Sequence, residues 1–200
     1  MPALRAGRQA EELGTDVRQK VLDAASDLFY TQGVRAVGVD LVIQKAGVAK
    51  TSLYRHFGTK DDLVAAYLER EDKAFWDTWN EVAAKHADDP RAELDAHLEW
   101  IGQRVNDRCY RGCAQINAAA EFPDLDHPAR KVAAAHKSEM RRRLKALAMR
   151  LNVTDPDRVA GQLTVLINGA FVSMQVLEPD EAVMLLQSAA NAVLAANQAS

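Results

Sequence analysis

Apolar residues recur at helical spacing along most of the chain. Val17, Val21, Leu28 and Phe29 fall on one face, which predicts a helix over residues 16–31. No segment alternates convincingly with a period of two, so we expect an all-α fold. The same periodicity predicts further helices over residues 39–45, 50–56, 60–86, 90–107, 112–121, 128–151, 156–177 and 180–197.

Residues that favour helix ends support these boundaries. Thr59 and Asp62 form a capping-box pattern at the start of the long fourth helix. Asp89-Pro90 and Asp155-Pro156 each place an acidic cap before a proline at the first helical position. We therefore divide the chain into a mobile arm (residues 1–14), a three-helix domain (15–60) and a larger helical domain (61–200).

The last two predicted helices are apolar on several faces. A helix without a wet face needs cover on both sides, and a C-terminal helix has few neighbours left in its own chain. We expect a second copy of the chain to cover residues 156–177 and 180–197, giving a homodimer. A central helix of a monomeric core is the alternative. Residues 159–177 carry no formal charge, but polar side chains such as Gln162 and Asn168 argue against a membrane span.

Charge and cysteine content narrow the possible partners. The formal net charge is -3, yet residues 1–60 carry 9 basic and 6 acidic residues, so the acidic excess lies in the remainder of the chain. The N-terminal part therefore has the sign that attracts phosphate. Cys109 and Cys113 are too few for a disulfide scaffold, and no secretory segment precedes them, so we expect a cytoplasmic protein without metal or cofactor. A redox or metal sensor with both cysteines on one helical face is an alternative.

Residues 39–57 have the pattern of a helix-turn-helix. Gly47 can adopt the left-handed conformation that the turn needs. Inward-facing positions are predicted at Val42, Ala46, Val48 and Leu53. The outward positions on the short second helix, which fits a major groove, are Lys50, Thr51, Ser52, Arg55 and His56. A helical fragment with a solvated basic face is the alternative interpretation.

These residues resemble the TetR family of bacterial regulators over residues 17–63. The resemblance rests on Ala25-x-x-Leu28-Phe29 followed by Gly33, on residues 46–57, and on Lys60-Asp61-Asp62-Leu63. It implies that Tyr54 contacts the DNA backbone and that Lys60 contacts phosphate. The predicted DNA-binding set is then Lys50, Thr51, Ser52, Tyr54, Arg55, His56 and Lys60.

Three positions depart from the family pattern. Gly38 and Ala49 stand where the family has Ser or Thr caps, and losing such a cap costs about 1 kcal/mol. Ile43 replaces a usual alanine, so the two helices of the motif are expected to lie slightly further apart.

The resemblance also implies a ligand-responsive regulator, most simply a repressor. Its homodimer would bind a palindromic double-stranded operator and be released by a small-molecule effector bound in the larger domain. Asn117 and Asn168 are the favoured contacts, because buried amides need partners, although Trp and Met residues at helical spacing more often form core. The candidate effector residues are Trp76, Trp79, Trp100, Ile116, Asn117, Phe122, His136, Met140, Asn168, Phe171 and Met174.

Two other classes of protein remain as alternatives. An enzyme could use Glu121, Asp124, His127 and His136, but the sequence contains no nucleophile motif and no phosphate-binding glycine loop, so no catalytic residue is predicted. An adaptor that keeps the motif without binding DNA is the other. The run Arg141-Arg142-Arg143, with Lys137 and Lys145 nearby, is interpreted as a solvated helix face, with a second DNA contact as the alternative.

Overall fold

The computed structural model describes residues 3–173, 176–178 and 181–198, with side chains from residue 16 onward. Nine α-helices lie within this part of the chain, and its only extended pairing is an isolated bridge between Val153 and Gln198. The predicted all-α fold is confirmed. The helices are α1 (Ala3–Gln32), α2 (Val39–Ala46), α3 (Lys50–Phe57), α4 (Lys60–Lys85), α5 (Pro90–Val105), α6 (Ala114–Glu121), α7 (Pro128–Arg150), α8 (Pro156–Val172) and α9 (Glu181–Ala195).

The predicted caps form at three helix starts. Thr59 and Asp62 cap α4 reciprocally: the Asp62 amide donates to Thr59 Oγ1 at 3.1 Å, and the Thr59 amide donates to Asp62 Oδ2 at 3.0 Å. Asp89 accepts from the amides of residues 91 and 92 at the start of α5. Asp155 accepts from the Arg158 amide at the start of α8. These bonds satisfy amide groups that a helix cannot satisfy itself.

Three predicted boundaries differ from the structure. α1 begins at Ala3, within the predicted arm, because residues 3–13 are rich in Ala, Leu, Arg, Gln and Glu, which favour helix. α6 begins at Ala114, after Gly112 takes φ +97°. α8 ends at Val172, where the Ser173 hydroxyl donates back to the Gly169 carbonyl. No helix in the described ranges is both long and apolar enough to cross a bilayer.

The chain divides into two compact units that do not follow the predicted boundary at residue 60. The first comprises Met1–Glu71 and Asn117–Ala133, and the second comprises Asp72–Ile116 and Ala134–Ser200. The difference arises because α4 is continuous through residue 71 and because residues 117–133 contact the N-terminal helices. The first unit buries Val21, Ala25, Leu28, Phe29, Val34, Val37, Val42, Leu53, Phe57, Leu63, Val64, Tyr67 and Leu68.

The second unit has an aromatic core containing a fully buried histidine. The His97 ring stacks on Trp79, with centroids 3.8 Å apart. Burial, with smaller effects from Arg143 and His86, lowers the pKa of His97 to about 4 from 6.5. The Glu93 carboxylate does not raise the pKa of His97 back to its usual value, because it lies 3.7 Å from His97 Nε2 and is bound by Arg150.

This histidine predicts a pH-dependent stability. Between pH 6.5 and 4 the unfolded chain binds a proton that the folded chain excludes. The stability linked to neutral His97 is therefore fully present above pH 6.5 and is lost as the pH falls through this range. From pH 7 to pH 5 the free energy of unfolding should fall by about 2 kcal/mol from this group. Urea unfolding of the wild type and of His97→Phe, which keeps a ring on Trp79, measures the effect. The variant should lose that part of the pH dependence, and equal pH dependence in both proteins would contradict the assignment.

Candidate nucleic-acid interface and buried polar cluster

Helix α3 presents one exposed face of polar and basic side chains. Lys50, Thr51, Tyr54 and Arg55 are exposed, at positions that recur every turn of the helix. Leu53 and Phe57 on the opposite face are buried. Packing of the buried face therefore fixes the orientation of α3 and leaves these four side chains exposed.

Two residues of the predicted DNA-binding set lie at the edge of this face. Ser52 and His56 are half-buried, and the His56 Nε2 atom is covered without a hydrogen-bond partner among the described residues. These two residues, predicted to project outward, are therefore less exposed than the other members of the set on α3. They are four residues apart and border the buried positions 53 and 57, so the helix turns them partly inward.

The turn between α2 and α3 forms as the glycine pattern predicts. Gly47 has φ +65°, and its amide donates to the carbonyls of Ile43 and Gln44 at 3.0 and 3.3 Å. Gly38 and Ala49 cap α2 and α3 without any side-chain hydrogen bond, which confirms the two predicted missing caps. Of the predicted inward residues, Val42 and Leu53 are fully buried, whereas Ala46 and Val48 are half-buried.

An acidic neighbour partly neutralises the exposed face. Lys50 Nζ lies 2.9 Å from Asp40 Oδ1 on α2, and both side chains are largely exposed. This hydrogen bond raises the pKa of Lys50. Exposed pairs contribute little to stability, so a phosphate can replace the aspartate as partner.

Lys60 anchors the loop between α1 and α2. Its Nζ donates to the Val34 carbonyl oxygen at 2.7 Å, and partial burial lowers the pKa of Lys60. The Lys60 side chain is half-buried, and its ammonium is already hydrogen-bonded within the first unit.

Glu121, the last residue of α6, holds the same loop from the other side. Its carboxylate accepts from the amides of Val34 at 2.9 Å and Arg35 at 2.6 Å. Gly33, with φ +88°, brings the chain so close that a Cβ there would lie 3.3 Å from Glu121 Oε1. The sequence carried no local signal for this contact, because its partners are more than 80 residues apart.

Removing this carboxylate should loosen the loop that precedes the helix-turn-helix. We expect Glu121→Ala to lower the free energy of unfolding by about 1–3 kcal/mol, because two amides lose a charged acceptor. Amide hydrogen exchange at Val34 and Arg35 should become faster. Asp124→Ala is the matched control, because within the described part of the chain the Asp124 carboxylate accepts only from the nearby Asp126 amide. Unchanged exchange in Glu121→Ala would show that the loop does not depend on it.

The second unit brings together most of the candidate effector residues. His136 packs against the rings of Phe75 and Trp76, with centroids 5.0 and 5.1 Å away. Asn168 accepts a hydrogen bond from Lys137 at 2.7 Å. The candidates that lie in or against the buried core of this unit are Trp76, Trp79, Trp100, Ile116, Met140 and Phe171.

Three candidates do not join this cluster. Asn117 is exposed and belongs to the first unit, which removes the reason for proposing it. Phe122 also belongs to the first unit and follows the last residue of α6. Its ring stacks on His127, with centroids 3.7 Å apart. Met174 lies outside the described residues.

Among the described residues, the side chains considered for a cysteine-based sensor or for an enzyme do not form a recognisable site. Cys109 is exposed and Cys113 is half-buried, and both lie in the turn before α6 rather than on a helical face. Within the described residues, no three His, Cys, Asp or Glu side chains are grouped to hold a metal ion. Of the residues considered for catalysis, Glu121 holds backbone amides and His136 bonds to Asp72.

Lys137 and Arg143 correct the interpretation of the basic run on α7 as a solvated face. Lys137 is bonded to Asn168, and Arg143 lies 4.4 Å from the Trp76 ring centroid. Arg142 and Arg143 both bond Glu139, and they lower its pKa to about 2. Much of this charge is therefore paired within the second unit.

A surface depression lies between α5 and α9. Its volume is about 640 Å³, and none of the candidate effector residues lines it. The lining residues are Glu99, Gln103, Val183, Met184, Gln187, Ser188 and Asn191.

Comparison with known proteins assigns both parts of the chain. The family model described as "Bacterial regulatory proteins, tetR family" matches residues 21–67. The model described as "Tetracyclin repressor-like, C-terminal domain" matches residues 91–190, which is half of the chain.

Individual proteins agree with this assignment. The transcriptional activator FasR of Mycolicibacterium smegmatis is 41% identical over 64 residues, a match that covers 32% of this chain and only 29% of FasR. The transcriptional regulator YjdC of Escherichia coli is 25% identical over 160 residues, covering 80% of this chain and 83% of YjdC. The crystal structure of a TetR-family transcriptional regulator from Streptomyces coelicolor superposes with a TM-score of 0.87 at 26% identity, covering 92% of this chain and 97% of that one. The chain belongs to the TetR family and is a transcriptional regulator with an N-terminal helix-turn-helix for DNA binding.

Proposed function

We propose that this chain is a ligand-responsive repressor whose homodimer binds a palindromic operator and is released by a small-molecule effector. The exposed face of α3 is the observation that carries the proposal. Lys50 and Arg55 can reach guanine edges or phosphates, and Thr51 can bond phosphate or contact a thymine methyl. Tyr54 is exposed on the same face and is proposed to contact the DNA backbone. Ser52 and His56 would contact it from the edge of that face.

Lys60 has a more limited role in this proposal. Its ammonium donates to the Val34 carbonyl, so a direct phosphate contact requires it to exchange that bond. Lys60 also lies at the first residue of α4, where free amide groups favour an anion. We therefore keep it in the DNA-binding set as a phosphate contact beside the helix N-terminus.

Exposed apolar residues on α8 and α9 support the homodimer. Val165, which is 70% exposed, and Val172 lie seven residues apart on one face of α8. Met184 and Leu185 are exposed on α9. Covering such side chains with a second copy removes apolar surface from water.

Interrupting this face should separate the protomers. Val165→Glu places a charge where the partner is proposed to pack, so the mass by light scattering should fall from twice 22.0 kDa to 22.0 kDa. Operator affinity should fall with it, because one protomer makes half of the contacts. Leu125→Glu is the matched control, since Leu125 is equally exposed but lies in the first unit. A wild-type monomer, or an unchanged mass in Val165→Glu, would contradict this interface.

Binding to its own regulatory region tests the whole proposal. Repressors often control their own genes, so we expect purified protein to shift a duplex from upstream of its coding region and to lower a reporter there. Two recognition helices would read half-sites about 34–36 Å apart, one turn of DNA. An effector that changes this spacing would release the DNA. A reporter that rises when the protein is present would instead indicate an activator.

A further inference from the structure

Two consecutive residues of α7 place polar groups in the aromatic core of the second unit. His136 is 3% exposed, and its Nδ1 atom lies 2.7 Å from Asp72 Oδ1. Lys137 Nζ lies 2.7 Å from Asn168 Oδ1 and 5.2 Å from the Phe171 ring centroid. We call His136 and Lys137 the buried polar pair.

The hydrogen bond to Asp72 determines what His136 can offer a ligand. Asp72 Oδ1 also accepts from the Trp76 indole at 2.7 Å, so the carboxylate acts as an acceptor and His136 Nδ1 donates to it. In the neutral ring the proton on Nδ1 leaves Nε2 as an acceptor. Burial lowers the pKa of His136 and so favours the neutral ring. Nε2 is buried, and among the described residues it has no hydrogen-bond partner.

In the described part of the chain, no carboxylate is among the hydrogen-bond partners of the Lys137 ammonium. Its neighbours in the described part of the chain are the Asn168 amide oxygen, the Cys113 sulfur at 3.5 Å and the Phe171 ring. Burial lowers the pKa of Lys137, although the neighbouring Cys113 sulfur acts in the opposite direction. An ammonium has three donors, and a carboxylate is its strongest natural acceptor.

Aromatic rings connect the two groups. The Phe75 centroid lies 5.0 Å from that of His136 and 6.4 Å from that of Phe171. Lys137, Asn168 and Cys113 are half-buried, whereas His136 is almost fully covered. The lysine therefore lies at the outer end of this site and the histidine at the inner end.

We propose that the buried polar pair recognises a small aromatic acid that carries a ring hydroxyl. The carboxylate binds Lys137 at the outer end, the ring lies against Phe75 and Phe171, and the hydroxyl donates to His136 Nε2 at the inner end. Such a ligand supplies a carboxylate to Lys137 and a hydrogen-bond donor to His136 Nε2 together. The inference rests on the proposed ligand-responsive function and names the chemical class of its effector.

Paired ligands that differ by one hydroxyl test this recognition. Isothermal titration of the full chain would compare 4-hydroxyphenylacetate with phenylacetate and 4-hydroxybenzoate with benzoate. We expect the hydroxylated member of at least one pair to bind 10-fold more tightly or better. Equal affinities within both pairs, or no binding of any of the four at 5 mM, would overturn the proposal.

Variants separate the two contacts. His136→Phe keeps an aromatic ring but removes the acceptor, so it should abolish the preference for the hydroxylated acid. Lys137→Met should weaken both acids at least 10-fold, whereas Lys145→Met, which removes a half-buried charge of the same helix paired with Asp157, should not. A preference that survives in folded His136→Phe would overturn the histidine contact. If that variant does not fold, the comparison within the wild type still decides.

DNA binding distinguishes this inference from the function on which it rests. Acid that binds with the expected selectivity but leaves the protein on its operator supports the site and contradicts effector release. If the protein binds its operator specifically but none of the four acids binds in the titration, the proposed site is contradicted while the proposed DNA-binding function is retained.

Discussion

Replacing Lys50 and Arg55 together with alanine should lower operator affinity by at least about 100-fold, because each protomer loses two donors to bases or phosphates. Both side chains are exposed on α3 and contribute little to its packing. The fold, followed by circular dichroism and thermal unfolding, should therefore stay unchanged. Fluorescence anisotropy with a labelled operator measures the loss.

A second double variant controls for the loss of charge. Lys20→Ala with Lys73→Ala also removes two exposed cations, each paired with an acid four residues away. Its affinity should fall by less than about 5-fold, since surface charges outside the α3 face act only through screened electrostatics. Equal losses in the two double variants would mean that net charge, rather than the α3 face, determines binding.

Gly102→Ala should strongly destabilise the second unit. An added Cβ would lie 2.6 Å from Val183 Cγ2, 2.7 Å from Val183 Cα and 2.8 Å from its amide nitrogen. Two of these atoms are backbone, so a rotamer change cannot relieve the clash, and α5 must move away from α9. We expect a loss of about 3 kcal/mol in the free energy of unfolding.

The sign of this effect separates packing from helix propensity. In an exposed helix, glycine to alanine stabilises by up to about 1 kcal/mol. Gln103→Ala, at the exposed neighbouring position, should change stability by less than about 0.5 kcal/mol. Urea unfolding at pH 7 compares the three proteins. Stability that is unchanged or higher in Gly102→Ala would contradict the close approach of α5 and α9.

Local patterns predicted the helices and their caps, because these depend on residues a few positions apart. Thr59 with Asp62, Asp89, Asp155 and Gly47 all act within one turn of chain. The orientation of α3 also followed from its apolar spacing.

Contacts between distant segments were not predictable in this way. Glu121 holds a loop more than 80 residues earlier, and no periodicity reports such a bond. Asn117 has the residue type of a buried ligand contact but is exposed, since apolar neighbours in sequence do not fix which face of α6 is covered. Asp72 and His136 meet across 64 positions. The residue types gave the candidates, and the tertiary structure determined which of them meet.

Selection of duplexes bound by the purified protein from a random pool tests the central claim most directly. The account predicts a symmetric motif with half-sites one helical turn apart, enriched by the wild type and not by the Lys50→Ala, Arg55→Ala double variant. Recovery of no enriched motif, or of the same motif with the double variant, would contradict it.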